Sequence, residues 1–304
     1  MCAGFLIFEH VALTSSYTRL GLAACDTDTT AACMSNLSTF INNFGWLDYG
    51  IYWMLLLPAM AGIFVGAPLV AREVENGTFR FIWLQGITRT RWFIAKVLAL
   101  VAGCVLGAAA LSAIIMWALQ PLVRVEGILL VSTMNRLVPP YFDLSGTVLL
   151  ATTLLGLSLG ILAGTMTRRT VVAMFVTLLL FAIVRVPVTL VRPHFAAPLT
   201  ATAPIGASGN RPDLPPGSLV LKEGFMDAHG GTYELLGEAT PCASQFHSDA
   251  EIEQCFTKIG LRVYAQYQPP DRYWLFQSME SGIYAGVSVI ALLASLWIVR
   301  RRLE

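Results

Sequence analysis

The stretch YGIYWMLLLPAMAGIFVGAPLVA, Tyr49–Ala71, is 23 residues without a charge, and REVENGTFRFIWLQGITRTRWFIAK, Arg72–Lys96, follows it directly. A second charge-free run, Val97–Val123, comes next. A helix needs about 20 apolar residues to cross the hydrocarbon of a bilayer. The quoted stretch therefore reads as a membrane helix, a compact basic loop, and a second membrane helix. Counting outward between flanking charges adds three more runs: Leu144–Thr167, Thr170–Val191 (interrupted by Arg185) and Ser281–Val299. Backbone polar groups in lipid must be satisfied within the segment, so all five read as helices. The expected fold class is an all-α polytopic membrane protein with five full transmembrane helices. Composition agrees: 56% of residues are hydrophobic and 13% charged, about half the charged share of a soluble domain. A net charge of +1 gives no pull toward nucleic acid.

Basic residues set the orientation. Segment 72–96 holds five Lys/Arg, the turn Arg168–Arg169 two and the tail 300–304 three. Threading the spans 49–71, 97–123, 144–167, 170–191 and 281–299 alternately places all three clusters on one side, read as cytoplasmic. The other side receives the loops 14–48 and 124–143 and the long segment 192–280. Cys25, Cys33, Cys242 and Cys255 fall on that outer side, where an oxidising environment favours the bridges Cys25–Cys33 and Cys242–Cys255. Zinc is the rival use of these thiols, but no C-x-x-C or H-x-x-x-H spacing occurs, so no metal site is expected.

The N-terminal run Cys2–Phe8 is apolar but ends at Glu9 and His10, about half of a span. It lacks the basic n-region of a signal peptide. Residues 1–13 are read as the outer end of a sixth, truncated first helix, with a short interfacial helix as the alternative.

Within the loop, Phe79, Ile82 and Trp83 recur at helical spacing among Arg72, Glu73, Glu75 and Arg80. Gly77 ends one helix, Gly86 the next, and Thr88 is placed to cap a helix that begins near Arg89. The order of residues says more than the composition. E-x-G-T, a leucine six residues on, then I-[ST]-R and a lysine seven residues later resembles the cytoplasmic loop of type-two ABC exporter permeases. Those positions are Glu75, Gly77, Thr78, Leu84, Ile87, Thr88, Arg89 and Lys96. The flanking GAPLV, TRRTVVAMFVTLLLFAIVRV and QPPDRYWLFQSMESGIY are also similar to a subgroup of small drug-exporter-like permeases of high-GC, actinobacterial-type genomes. Seventeen arginines against three lysines suit such a genome. Gly86, where the broader family often has proline, departs from the pattern.

The resemblance implies the permease subunit of an exporter in a bacterial plasma membrane, working by alternating access on a hydrophobic or amphipathic cargo. It implies a coupling helix in which Glu73, Glu75, Gly77, Thr78, Arg80, Trp83, Thr88, Arg89 and Arg91 serve a separate ABC ATPase, present in two copies. No G-x-x-x-x-G-K-[ST] occurs, so ATP and Mg would be bound by that partner and the chain itself is expected to be no enzyme and to carry no cofactor. A second permease, identical or paralogous, is also implied.

Small-x-x-x-small spacings at Gly62/Gly66, Gly103/Gly107, Gly156/Gly160/Gly164 and Gly282/Gly286 allow close helix approach, within the chain or between two copies. Arg185 is read as snorkelling toward the outer headgroups past Pro187, and Glu280 as marking the outer mouth or a re-entrant turn. Two other classes compete. A secondary transporter needs buried ionisable groups, and the spans offer little beyond Arg185. An intramembrane serine protease would use Gly206-Ala207-Ser208-Gly209 with His194, His229 or His247, but that string lies in ordinary Pro/Gly/Ala-rich loop sequence.

Overall fold

The computed structural model describes residues 2–26, 31–44, 51–76, 88–118, 120, 136–204, 212–228, 230–233, 258 and 260–302. They form two units.

The first unit comprises residues 1–125, 138–192 and 274–304. It contains α1 (Cys2–Arg19) and α2 (Ala31–Phe44), then the spans. These are α3 (Ile51–Glu73, running on to Glu75), α4 (Arg89–Ala118), a four-residue helix α5 (Tyr141–Leu144), α6 (Val148–Thr167), α7 (Thr170–Val191) and α8 (Tyr273–Arg302). Five helices are long and apolar enough to cross a membrane, as expected: α3, α4, α6, α7 and α8. Their bounds differ from a charge-free count. α4 already starts at Arg89, where Thr88 Oγ1 accepts from Arg91 N at 3.4 Å as the anticipated cap. α8 starts at Tyr273, so Glu280 lies inside a helix and not in a segment before it. Charges flanking a span need not lie outside its helix, because a helix continues past the hydrocarbon at no backbone cost. At the N-terminus, α1 runs to Arg19 and α2 occupies much of segment 14–48. His10 stacks on Trp117 (centroids 3.8 Å apart), joining α1 to α4.

α6 is the centre of this unit. Its apolar window is 83% buried, against 17% for α4 and for α7, so the latter two present broad faces to lipid or to another chain. The reason is in its glycines. A Cβ on Gly156 would run into the carbonyl oxygen of Pro58, and one on Gly160 into that of Gly62. At Gly164 it would meet Ala67 O at 2.5 Å. From the other side, a Cβ on Gly66, the last residue of the π-helical turn Gly62–Gly66 of α3, would stand 2.8 Å from Leu157 O. Backbones this close permit only hydrogen at those positions. Gly156, Gly160 and Gly164 therefore serve packing within the chain. Gly103, Gly107, Gly282 and Gly286 meet nothing within 4 Å. Toward the other end of the spans, Ala67, Ala71, Ala163 and Ala173 join α3, α6 and α7, while Val70, Phe93, Val97, Ile161 and Val299 join α3, α4, α6 and α8.

The second unit comprises residues 126–137 and 193–273. It holds an antiparallel sheet in the order β1-β4-β2-β3, with β1 Leu199–Pro204, β2 Leu219–Met226, β3 Thr232–Tyr233 and β4 Arg262–Gln268. β4 lies between β1 and β2 and buries Tyr264. Gln268, fully buried, donates from Nε2 to the carbonyls of Pro193 (2.9 Å) and Ala196 (2.7 Å) and so pins the lead-in to β1. A sheet in this segment was not anticipated from the sequence. A bulge between Val220 and Lys222 interrupts β2 and spoils the two-residue alternation that marks a strand.

Candidate functional site

Four charged side chains from three parts of the first unit converge where none was expected to find a partner. Asp143 comes from α5, Arg185 from α7, Arg192 from the turn after α7, and Glu280 from the second turn of α8. Arg185 Nη2 donates to Asp143 Oδ1 (2.6 Å) and its Nη1 to Glu280 Oε1 (2.6 Å) and to the Tyr284 hydroxyl (2.6 Å). Arg192 Nε donates to Glu280 Oε2 (2.7 Å), and its Nη2 to Glu280 Oε1 (3.0 Å) and to Asp143 Oδ1. The Tyr284 hydroxyl in turn donates to Glu280 Oε1 (2.9 Å). Both cations lie over aromatic faces: Arg192 Cζ is 4.2 Å from the Phe142 ring and Arg185 Cζ 5.4 Å from that of Tyr284. Side-chain exposure is 2–3% for Arg192 and Asp143 and nil for Glu280. The cluster is neutral overall, which is what makes its burial tolerable, because an isolated charge in hydrocarbon would cost several kcal/mol.

Gln277, one turn before Glu280, completes the assembly. Its Oε1 accepts from Thr147 N (2.9 Å) and Val148 N (3.0 Å), capping α6 from another helix, while Nε2 donates to Phe142 O (2.8 Å). Asp143 and Arg185 also line a cleft with Leu55, Pro58, Leu144, Leu149, Thr152 and Phe181. Its volume, about 10 Å³, is room for about one water and far below the roughly 300–1,000 Å³ of a drug-sized pocket.

Arg185 thus does not snorkel away from the helices, and Glu280 marks no mouth or re-entrant turn. Each ends in the other's carboxylate or guanidinium. Sequence reasoning used Asp143 and Arg192 only as the charges that delimit spans. The available signal was Tyr284 four residues after Glu280, which sets a hydroxyl beside the carboxylate on one helix face.

The other place of interest is the root of the 72–96 loop. Gly77, Thr78, Arg80 and Trp83 fall in 77–87, outside the described residues, and so does the side chain of Arg89. Glu73, Glu75, Thr88 and Arg91 are described. Glu73 is ion-paired with Lys96 on α4, whose Nζ also donates to Leu69 O (3.2 Å). Glu75 Oε2 accepts from Thr170 N (3.1 Å) and Thr170 Oγ1 (2.7 Å), so a carboxylate at the end of α3 caps the start of α7. These two bonds, with Arg169 adding to them, hold the Glu75 carboxyl below its ordinary value of 4.5. Glu73 and Glu75, grouped above with the ATPase-facing residues, are both engaged inside the chain. Arg91 is exposed. Cys33 is disulfide-bonded, but the side chains of Cys25, Cys242 and Cys255 lie outside the described residues, and with them both anticipated pairings.

Five spanning helices, a neutral charge cluster sealed among them and a braced loop between two spans define a multi-pass membrane protein. Residues 1–192 match the family described as ABC-2 membrane transporter related, and the chain belongs to that family. No curated protein and no solved structure matches. Membership makes the chain an ABC permease, a membrane subunit that is not itself an ATPase and that works with one, expected in the bacterial plasma membrane.

Proposed function

We propose that the chain is the permease half of an ABC exporter that moves a hydrophobic or amphipathic substrate out of the cell, powered by a separate ATPase. The observation that supports this most directly is the 72–96 loop of an ABC-2 family chain, with its E-x-G-T…I-T-R order and both roots held. Glu75 ties one root to α7, and Lys96 ties Glu73 to α4. A loop held in this way passes on a push, whereas a slack one absorbs it. Arg72, Arg168–Arg169 and Arg300–Arg302 put this end of the spans in the cytoplasm.

In this reading Gly77, Thr78, Arg80, Trp83, Thr88, Arg89 and Arg91 form the ATPase-facing element, while Glu73 and Glu75 hold it in place. Two ATPases bind ATP and Mg and close, and the loops carry that motion into the permease halves. The second half is another copy or a paralogue, and the exposed Gly103/Gly107 face of α4 supports a contact with it. The cleft beside Asp143 is too small for drug-sized cargo, which favours a cavity formed between the two halves. A drug, an antibiotic or a lipid-like molecule is the proposed cargo, in line with the exporter-like subgroup that the loop resembles. Cys25–Cys33 and Cys242–Cys255 are the proposed outer bridges, and non-reducing peptide mapping should recover both. Peptides joining Cys33 to Cys242 or Cys255 would overturn that pairing.

The test is co-purification with an ABC ATPase, which this reading expects to be encoded beside the gene. The permease alone should hydrolyse no ATP, and the reconstituted pair should. Trp83→Ala should lower ATPase recovery at least about threefold through lost apolar contact, and Arg89→Glu should do so through like-charge contact at a polar rim. Wild-type recovery with both variants would leave the loop as no more than a basic anchor.

A further inference from the structure

α7 is held at both ends by different partners. At its first residue, Thr170 donates twice to Glu75 at the loop root. Near its last, Arg185 reaches Asp143 and Glu280, and Arg192 follows just after the helix. Residues 170 and 185 are about 22 Å apart along a regular helix, and no proline interrupts that part. Pro187 lies between the two arginines, where the missing N–H loosens the ladder. Thr189 Oγ1 donates back to Arg185 O (3.0 Å) at the same point, a bond that also bends helices.

We propose that Glu75 and Thr170 are positioning residues of the transport cycle, coupling the 72–96 loop to α7 so that displacement of the loop reaches the Asp143–Arg185–Arg192–Glu280 cluster. The stiff part of α7 carries Arg185, while Arg192 sits beyond the proline. The two guanidiniums share the same carboxylate oxygens, Asp143 Oδ1 and Glu280 Oε1. Moving the stiff part draws Arg185 away and leaves Arg192 to hold both carboxylates. Arg192 has a donor to spare for that arrangement: its Nη1 is buried without a hydrogen-bond partner among the described residues. The cluster thus has two arrangements within reach, which energetic coupling over this distance requires. The purpose assigned to the link rests on the permease reading above, but the link itself does not.

Coupling between two sites is reciprocal, so it can be measured from either end without the ATPase. The probe is hydrogen exchange of the full chain in nanodiscs of neutral and anionic phospholipid. Glu75→Ala and Thr170→Val should speed exchange at least about threefold in peptides covering 141–149 and 277–285. Tyr284→Phe, a mild change at the cluster, should do the same in peptides covering 168–174. Thr170→Ser keeps the hydroxyl and should restore wild-type protection. Effects confined to the mutated end would overturn the proposal, as would loosening spread equally over α4, which makes neither link. With the ATPase present, Thr170→Val should keep ATP hydrolysis while transport falls at least about tenfold, and equal losses of both would count against a positioning role. Reciprocal exchange effects in a chain that recruits no ATPase would instead overturn the permease reading and leave the link standing.

Discussion

Glu280→Leu should leave the protein inserted but much less stable, with a loss of about 3–5 kcal/mol, the usual result of removing one member of a buried ion pair. Glu280 accepts from Arg185, Arg192 and Tyr284 and has no exposed side-chain surface. Without it, the buried Arg192 and the part-buried Arg185 face Asp143 alone, and the neutral cluster acquires a charge of +1. Replacing Arg185 as well restores neutrality, so Glu280→Leu/Arg185→Leu should recover part of the loss. Thermal denaturation in detergent, followed by size-exclusion chromatography, reads both variants. A single variant as stable as wild type, or a double variant no better than the single, would remove the cluster from the account of what holds α7 and α8 together.

Gly160→Val should prevent α3 and α6 from packing at all. A Cβ there runs into Gly62 O and stands 2.8 Å from Ala67 N and 3.0 Å from Gly66 C. All three are backbone atoms, so no side chain can turn aside. Overpacking a core ordinarily costs about 1–3 kcal/mol. Here the helix that must move is the most buried span, and its whole contact with α3 is at stake. The expected result is little monodisperse protein. Gly286→Val is the control, since nothing lies within 4 Å of a Cβ at that position; it should purify as wild type. Equal yields from the two variants would show that the close α3–α6 approach is not what sets the fold.

The same glycine spacing therefore means different things at different places. The strings around Gly103/Gly107 and Gly156/Gly160/Gly164 look alike, and both stood as candidates for packing within the chain or between copies. What separates them is which other backbone lies opposite, and spacing along one helix carries no record of that. The loop roots show a similar limit. Thr88 as a cap was legible because a cap is local, whereas Glu75 capping α7 joins residues 95 positions apart. Glu75 belongs to a sequence motif associated with the ATPase, yet its carboxylate is turned to a helix start in its own chain.

The sequence by itself determined that five helices span a membrane, where the basic loop between two of them lies, and which family it resembles. Each depends on one-dimensional quantities: the length of a charge-free run, the side on which arginines accumulate, and the order of a short motif. Only the tertiary structure decided that α6 is the central helix, that segment 193–273 contains a sheet, and that Asp143, Arg185, Arg192 and Glu280 neutralise one another. A charge at the edge of an apolar run looks the same in sequence whether it faces water or another charge. Its partner lies 42 to 95 residues away, and folding alone brings the two within hydrogen-bonding distance.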